Sequence, residues 1–261
     1  MPFDRNDRRL FDRSAIDYDA VRPGYPGALI EDLIAASRIP DAGSILEIGC
    51  GTGQLTVPLA ERGYRVTAVE LGRALSRLAS MNLEPFPNAT VVRADFERWE
   101  TAPACYDLVV SSQAFHWIDP AIGYPKAHAA LRSSGCLALV WNLFPGSDSP
   151  VHCALDEEYR EYAPQLSRDP GRRSLEGRVE RTMGQIRASG LFDDPSVHRY
   201  PWTATYTTAD YLKLLRTFSD HLSLEPSDLE RLLTAVGATI DRFDGSIDRP
   251  QVATLFLAQP R

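Results

Sequence analysis

Ile45-Leu46-Glu47-Ile48-Gly49-Cys50-Gly51-Thr52-Gly53 is the stretch on which the fold turns. Ser44 to Ile48 reads as a buried strand. The glycines then turn the chain into a helix over Gln54 to Arg62, which Gly63 stops. A turn without side chains lets a ligand lie against the backbone. A dinucleotide-binding turn would be G-x-G-x-x-G. Here Gln54 stands where its last glycine belongs, and the third glycine comes one place early, as Glu-x-Gly-x-Gly-x-Gly.

Outward from this turn, strand and helix alternate. Arg65 to Val69 reads as a second strand ending at Glu70, with a helix over Arg73 to Met81. Thr90 to Arg93 is a third strand, Tyr106 to Ser111 a fourth and Cys136 to Trp141 a fifth. A helix from Ile122 to Leu131 joins the last two, and another, over residues 27–38, precedes the first strand. Such alternation predicts a mostly parallel α/β sheet with right-handed crossovers and a ligand beyond the carboxyl ends of the strands. Two acids stand at those ends. Glu70 offers an acceptor-only carboxylate suited to a ribose diol. Asp95 can accept from an adenine amino group while Phe96 packs on the ring.

With Tyr106-Asp107-Leu108-Val109-Val110-Ser111-Ser112, this set resembles class I methyltransferases. The run Ser111-Ser112-Gln113-Ala114-Phe115-His116-Trp117, with Tyr18 and Arg22-Pro23-Gly24-Tyr25-Pro26 upstream, is similar to the trans-aconitate-methyltransferase-like branch. The resemblance covers residues 11–142 and implies a Rossmann-like, seven-stranded sheet with helices on both faces. It also implies S-adenosylmethionine as cofactor. Glu47 and the glycines Gly49, Gly51 and Gly53 would face its methionine part, Glu70 with Leu71 its ribose, and Asp95 with Phe96 its adenine. Ser112 and Gln113 would line the sulfonium, and Tyr18 and Arg22 would close over it. Acceptors in the branch are broad, so it does not fix the substrate.

The acceptor side is less legible. His116 follows the fourth strand and reads either as a general base or as a structural histidine bonded to backbone. Trp117, Trp141 and Asn142 are pocket-wall candidates; a core tryptophan suits Trp141 equally. Arg168, Arg172, Arg173, Arg178 and Arg181 would supply a clamp for an anionic acceptor or, with acids interleaved, a solvated face. Tyr206, Tyr211 and Phe218 read as acceptor contacts or as core. Carboxylate methylation needs no base, because the acceptor is already ionised, whereas a phenol would gain from one. The expected activity is therefore methyl transfer to an oxygen of an organic acid or secondary metabolite. A nicotinamide oxidoreductase and a cofactor-binding protein without methyl transfer are the alternatives.

Beyond residue 142 the pattern changes. Helices are expected near Cys153 to Tyr162, over Glu180 to Ser189, over 208–218, and over 226–243 with Ser227 as N-cap. Strands are expected at His198 to Thr205 and Val252 to Ala258. The chain reads as one domain, 1–261, with core segments 26–142, 179–207 and 250–261. Segments 143–175 and 208–247 form a helical and loop cap over the acceptor site.

The bulk numbers fit. The chain has 261 residues, 44% hydrophobic and 24% charged, with 28 basic against 35 acidic side chains for a net charge of −7. That balance disfavours a nucleic-acid partner, whose phosphates want clustered Lys and Arg. The four cysteines show neither C-x-x-C spacing nor a disulfide framework, so no metal is expected. No apolar run is long enough to span a membrane. A cytoplasmic monomer or homodimer is the expectation.

Overall fold

The computed structural model describes residues 12–167 and 174–261. Seven strands form one sheet in the order β3-β2-β1-β4-β5-β7-β6. They are β1 (Ser44–Ile48), β2 (Arg65–Glu70), β3 (Ala89–Arg93), β4 (Tyr106–Ser112), β5 (Leu131–Leu143), β6 (Ser196–Thr207) and β7 (Ser246–Ala258). Strands β1 to β5 are paired in parallel, while β7 lies antiparallel between β5 and β6. Order reverses between β1 and β4, which opens a crevice at their carboxyl ends. This is the Rossmann-like architecture expected from the sequence.

Alternation along each strand loads two cores, as a period of two requires. Ile45, Val66, Leu108, Val110, Cys136 and Leu255 pack on one face against Leu29, Ile30 and Leu33 of α2 (Gly27–Ser37). Leu46, Val69, Val109, Leu137 and Phe256 pack on the other against α5 (Pro120–Ala130) and α7 (Leu175–Ser189). A third core lies off the sheet. It joins Val21 of α1 (Ala15–Val21) and Leu155 of α6 (Pro150–Tyr162) to α8 (Thr208–Leu215) and α10 (Pro226–Arg242). Short helices α3 (Thr56–Glu61), α4 (Arg73–Asn82) and α9 (Ser219–Leu222) complete the set.

Several boundaries differ from the sequence reading. Helix α3 starts two residues late because the glycine turn continues through Leu55. Helix α7 begins at Leu175, where the Ser174 hydroxyl accepts from the Gly177 amide, so residues 175–178 are helix and not loop. Ser227 is not the N-cap of α10. Pro226 takes the first helical position, where its fixed φ and missing N–H cost nothing, and Glu225 precedes it. Strand β7 starts at Ser246 and pairs with β6 from Ser246 to Leu257, so its first residues are sheet. Pro250 hid this. Its missing N–H is tolerated because β5 reaches β7 only as far as the Leu143–Val252 pair. Helices α1 and α9 were not expected, being too short for a period to show.

Candidate functional site

The glycine turn is held from below and from the side. Gly49, Gly51 and Gly53 have φ of 72°, 61° and 102°, where side chains are strained. A Cβ on Gly49 would lie 2.4 Å from that of Ala114, so this turn packs directly on the turn after β4. A Cβ on Gly51 would meet the Tyr18 ring at 3.2 Å. Asn82 donates both to Asp19 of α1 (2.8 Å) and to the Thr52 carbonyl (2.9 Å). One amide thus fastens α1, and with it Tyr18, over the turn.

Glu70 closes β2 and is only 8% exposed. Its Oε2 accepts from the Gly51 amide at 3.0 Å and its Oε1 from the Gly72 amide at 2.7 Å. Burial pushes its pKa up, and these amides pull it back. Each oxygen keeps one lone pair for a further donor. Asp95 turns one oxygen to the Glu97 amide at 3.1 Å. Phe96 carries the Lys126 ammonium 5.2 Å from its ring centroid.

Gly49, Gly51, Glu70, Asp95 and Phe96 border a cavity of about 1020 Å³. Of the residues singled out in the sequence, Tyr18, Arg22, Gly49, Gly51, Glu70, Leu71, Asp95, Phe96, Ser112, Gln113, His116, Trp117 and Asn142 line it. Three predicted residues are placed elsewhere. Gly53 borders a separate shallow recess beside Asn82. Glu47 is wholly buried behind the turn, accepting from Thr56 Oγ1 at 2.6 Å and Ser112 Oγ at 3.3 Å. Burial raises its pKa to about 7, against the pull of those two hydroxyls. Trp141 stands behind the wall, edge-on to Phe256, and its indole N–H donates to His116 Nδ1 at 3.4 Å.

His116 faces the cavity from the short helical turn Phe115–Trp117. The ring is open to the cavity, and crowding by the protein wall around it and then the Arg178 guanidinium push its pKa down to about 4, so the ring is neutral near pH 7. With Nδ1 accepting from Trp141, the ring proton belongs on Nε2. The imidazole is then a weak base that presents an N–H. Gln113, at φ 56°, donates to the Asn142 carbonyl at 3.4 Å. Asn142 in turn donates to the Gly24 carbonyl and accepts from the Trp202 indole.

Of the arginines, Arg178 lines the cavity, Arg181 does not, and Arg168, Arg172 and Arg173 lie outside the described residues. Tyr206 and Phe218 line it, whereas Tyr211 sits in the cap core. Sequence reasoning missed Tyr25, Phe144, Arg160, Asp220, Arg249 and Gln251, which also border it. Tyr25 stood in a quoted motif. Arg249 and Gln251 alternate on a strand segment that Pro250 disguised.

Residues 45–135 match a family model described as a methyltransferase domain. The chain is 34% identical over 143 residues to an uncharacterized methyltransferase of Mycobacterium tuberculosis, covering 54% of this chain and 56% of that protein. It thus spans just over half the length of that relative. It is 29% identical over 205 residues to a malonyl-[acyl-carrier protein] O-methyltransferase of Geobacter sulfurreducens, covering 76% of each. In fold it is similar to a structure described as a candidate type II methyltransferase from Anaeromyxobacter dehalogenans (TM-score 0.61, 25% identity, covering 92% of this chain and 96% of that one). By these likenesses residues 45–135 resemble a methyltransferase domain, and the chain carries the Rossmann-like fold of the methyltransferase structures.

Proposed function

We propose that the protein transfers a methyl group from S-adenosylmethionine to an oxygen of a small-molecule acceptor. The observation that carries this reading is that the glycine turn, Glu70 and Asp95 with Phe96 border one cavity at the carboxyl edge of the sheet. The likeness to an O-methyltransferase over three quarters of the chain supports oxygen as the acceptor atom.

The residues fit the cofactor. Glu70 accepts from the ribose diol with the lone pairs its backbone amides leave, and Leu71 packs beside it. Asp95 and Phe96 take the adenine. Gly49 and Gly51 would offer bare backbone to the methionine part, and Ser112 and Gln113, which line the same cavity, would face the sulfonium. Tyr18 and Arg22 close the site from α1. The bound cofactor supplies an electrophilic methyl whose leaving group is a neutral thioether. Glu47 and Gly53 act behind the turn by holding its shape.

His116 serves as a neutral hydrogen-bond donor toward the acceptor, not as a base, since its conjugate acid is too strong to hold a phenolic proton. A carboxylate acceptor needs no proton removed and suits this wall better than a hydroxyl. The chain works as one unit with segments 143–175 and 208–247 as its cap. Among the described residues no helix is long and apolar enough to cross a membrane. We infer a cytoplasmic monomer or homodimer of the trans-aconitate-methyltransferase-like branch.

Calorimetry with S-adenosylhomocysteine tests this. Binding at micromolar levels is expected, and Glu70→Ala should weaken it by about 1–3 kcal/mol through loss of a buried hydrogen-bonded pair. Failure to bind at tens of micromolar, with NADH bound instead, would overturn the reading.

A further inference from the structure

At the far end of the cavity stands an arginine that no carboxylate of the described residues pairs with. Arg249 borders the cavity with its guanidinium over the Phe144 ring (4.6 Å) and the Phe218 ring (5.5 Å). Among the described residues it meets no carboxylate. Arg22 also lies against Phe218, 4.7 Å from its ring centroid, and its hydrogen bonds go to the neutral oxygens of Thr217. Two neighbouring guanidiniums drawn partly out of water without a counter-charge are costly unless something arrives to pair with them.

Two neutral groups beside them are also unanswered. Gln251 stands two residues along β7 from Arg249, on the same face, and borders the cavity although only 3% exposed. Its side-chain amide has no hydrogen-bond partner among the described residues. The Tyr206 hydroxyl, close enough to both arginines to feel their charge, is buried without a partner. A buried hydroxyl left unmatched, as that of Tyr206 is, is rare in folded proteins.

Register places the group. Ala253 pairs with Asn142 at the end of β5, and Arg249 comes four residues earlier on β7. At strand rise it lies roughly 13 Å beyond that level, on the part of β7 that pairs with β6 past the end of β5. The guanidinium fork matches a carboxylate, and aromatic faces hold it rigid.

We propose that Arg249 and Gln251 form a recognition site for a carboxylate of the acceptor that is set apart from the oxygen methylated. This rests on the functional reading above and names its substrate class: an elongated acceptor with a second, unreacting acid group. Arg249 is a specificity-determining residue in it, not a catalytic one.

The test is a binding ladder on the full chain, with and without saturating S-adenosylhomocysteine. The probes are α,ω-dicarboxylates from malonate to suberate and their dimethyl esters. At least one diacid is expected to bind at least tenfold tighter than its diester. Arg249→Met should weaken that diacid tenfold or more, with Arg249→Lys falling between. Gln251→Leu, which keeps the charge, should weaken it about threefold and guards against misfolding of the first variant. Diesters that bind as well as diacids, or an Arg249→Met protein that melts normally and binds diacids like the wild type, would overturn the proposal. Failure to bind S-adenosylhomocysteine would instead strike the cofactor reading, since the diacid ladder is still read without it.

Discussion

The two ends of the cavity are made in different ways. The glycine-turn end draws Gly49 and Gly51, Glu70, and Asp95 from residues 49–95, at or just past the ends of β1, β2 and β3. Its polar atoms are answered in advance, Glu70 by two amides and Glu47 by two hydroxyls. The opposite end takes Phe144, Tyr206, Phe218 and the pair Arg249 and Gln251 from four separate elements or loops. Its polar atoms are left open. A finished wall suits a ligand that is always the same, and an unfinished one suits a ligand whose own groups complete it.

The largest effect that would break this contrast lies at Gly49. Gly49→Val puts a branched Cβ at φ 72° and against Ala114. Left-handed strain and overpacking together should cost about 2–5 kcal/mol of stability. A chemical denaturation midpoint unchanged from wild type would mean the turn is looser than described.

Glu47 is the next in size. Its folded pKa of about 7 stands above the ordinary 4.5, so the folded protein keeps a proton that the unfolded chain releases first. The sign follows: stability from this group is full below about pH 4.5, is lost as pH rises through 7, and the loss is on the order of 3 kcal/mol. Glu47→Gln mimics the protonated acid and should abolish that decline. Denaturant melts at pH 5 and pH 8 should separate for the wild type and nearly coincide for the variant. Equal pH dependence in both would remove Glu47 from the account.

His116 sharpens the contrast with the smallest change. Its depressed pKa predicts an NMR titration midpoint near 4. As a donor to an already ionised acceptor, it should leave His116→Ala within roughly tenfold of wild-type turnover. A drop of a hundredfold or more would restore it as a base.

Much of the cofactor end was readable because its information is local. A strand, a side-chain-free turn and an acid at the next strand end all lie within a few residues of one another. Trp141 shows the limit of that reading. It ends the fifth strand, yet its indole points behind the wall and acts through His116. Arg249 shows the converse: Pro250 broke the strand pattern and the residue passed unnoticed, although β6 pairs on through it.

By itself the sequence determined the order of strands and helices, the bend after β1 and the acids beside it, because hydrophobic period and glycine position act over one or two turns of chain. Only the tertiary structure decided which side chains face the acceptor, which acid is sealed behind the turn, and where charge is left unpaired. Those depend on contacts between segments up to two hundred residues apart, such as Arg22 with Thr217, and no local pattern encodes them.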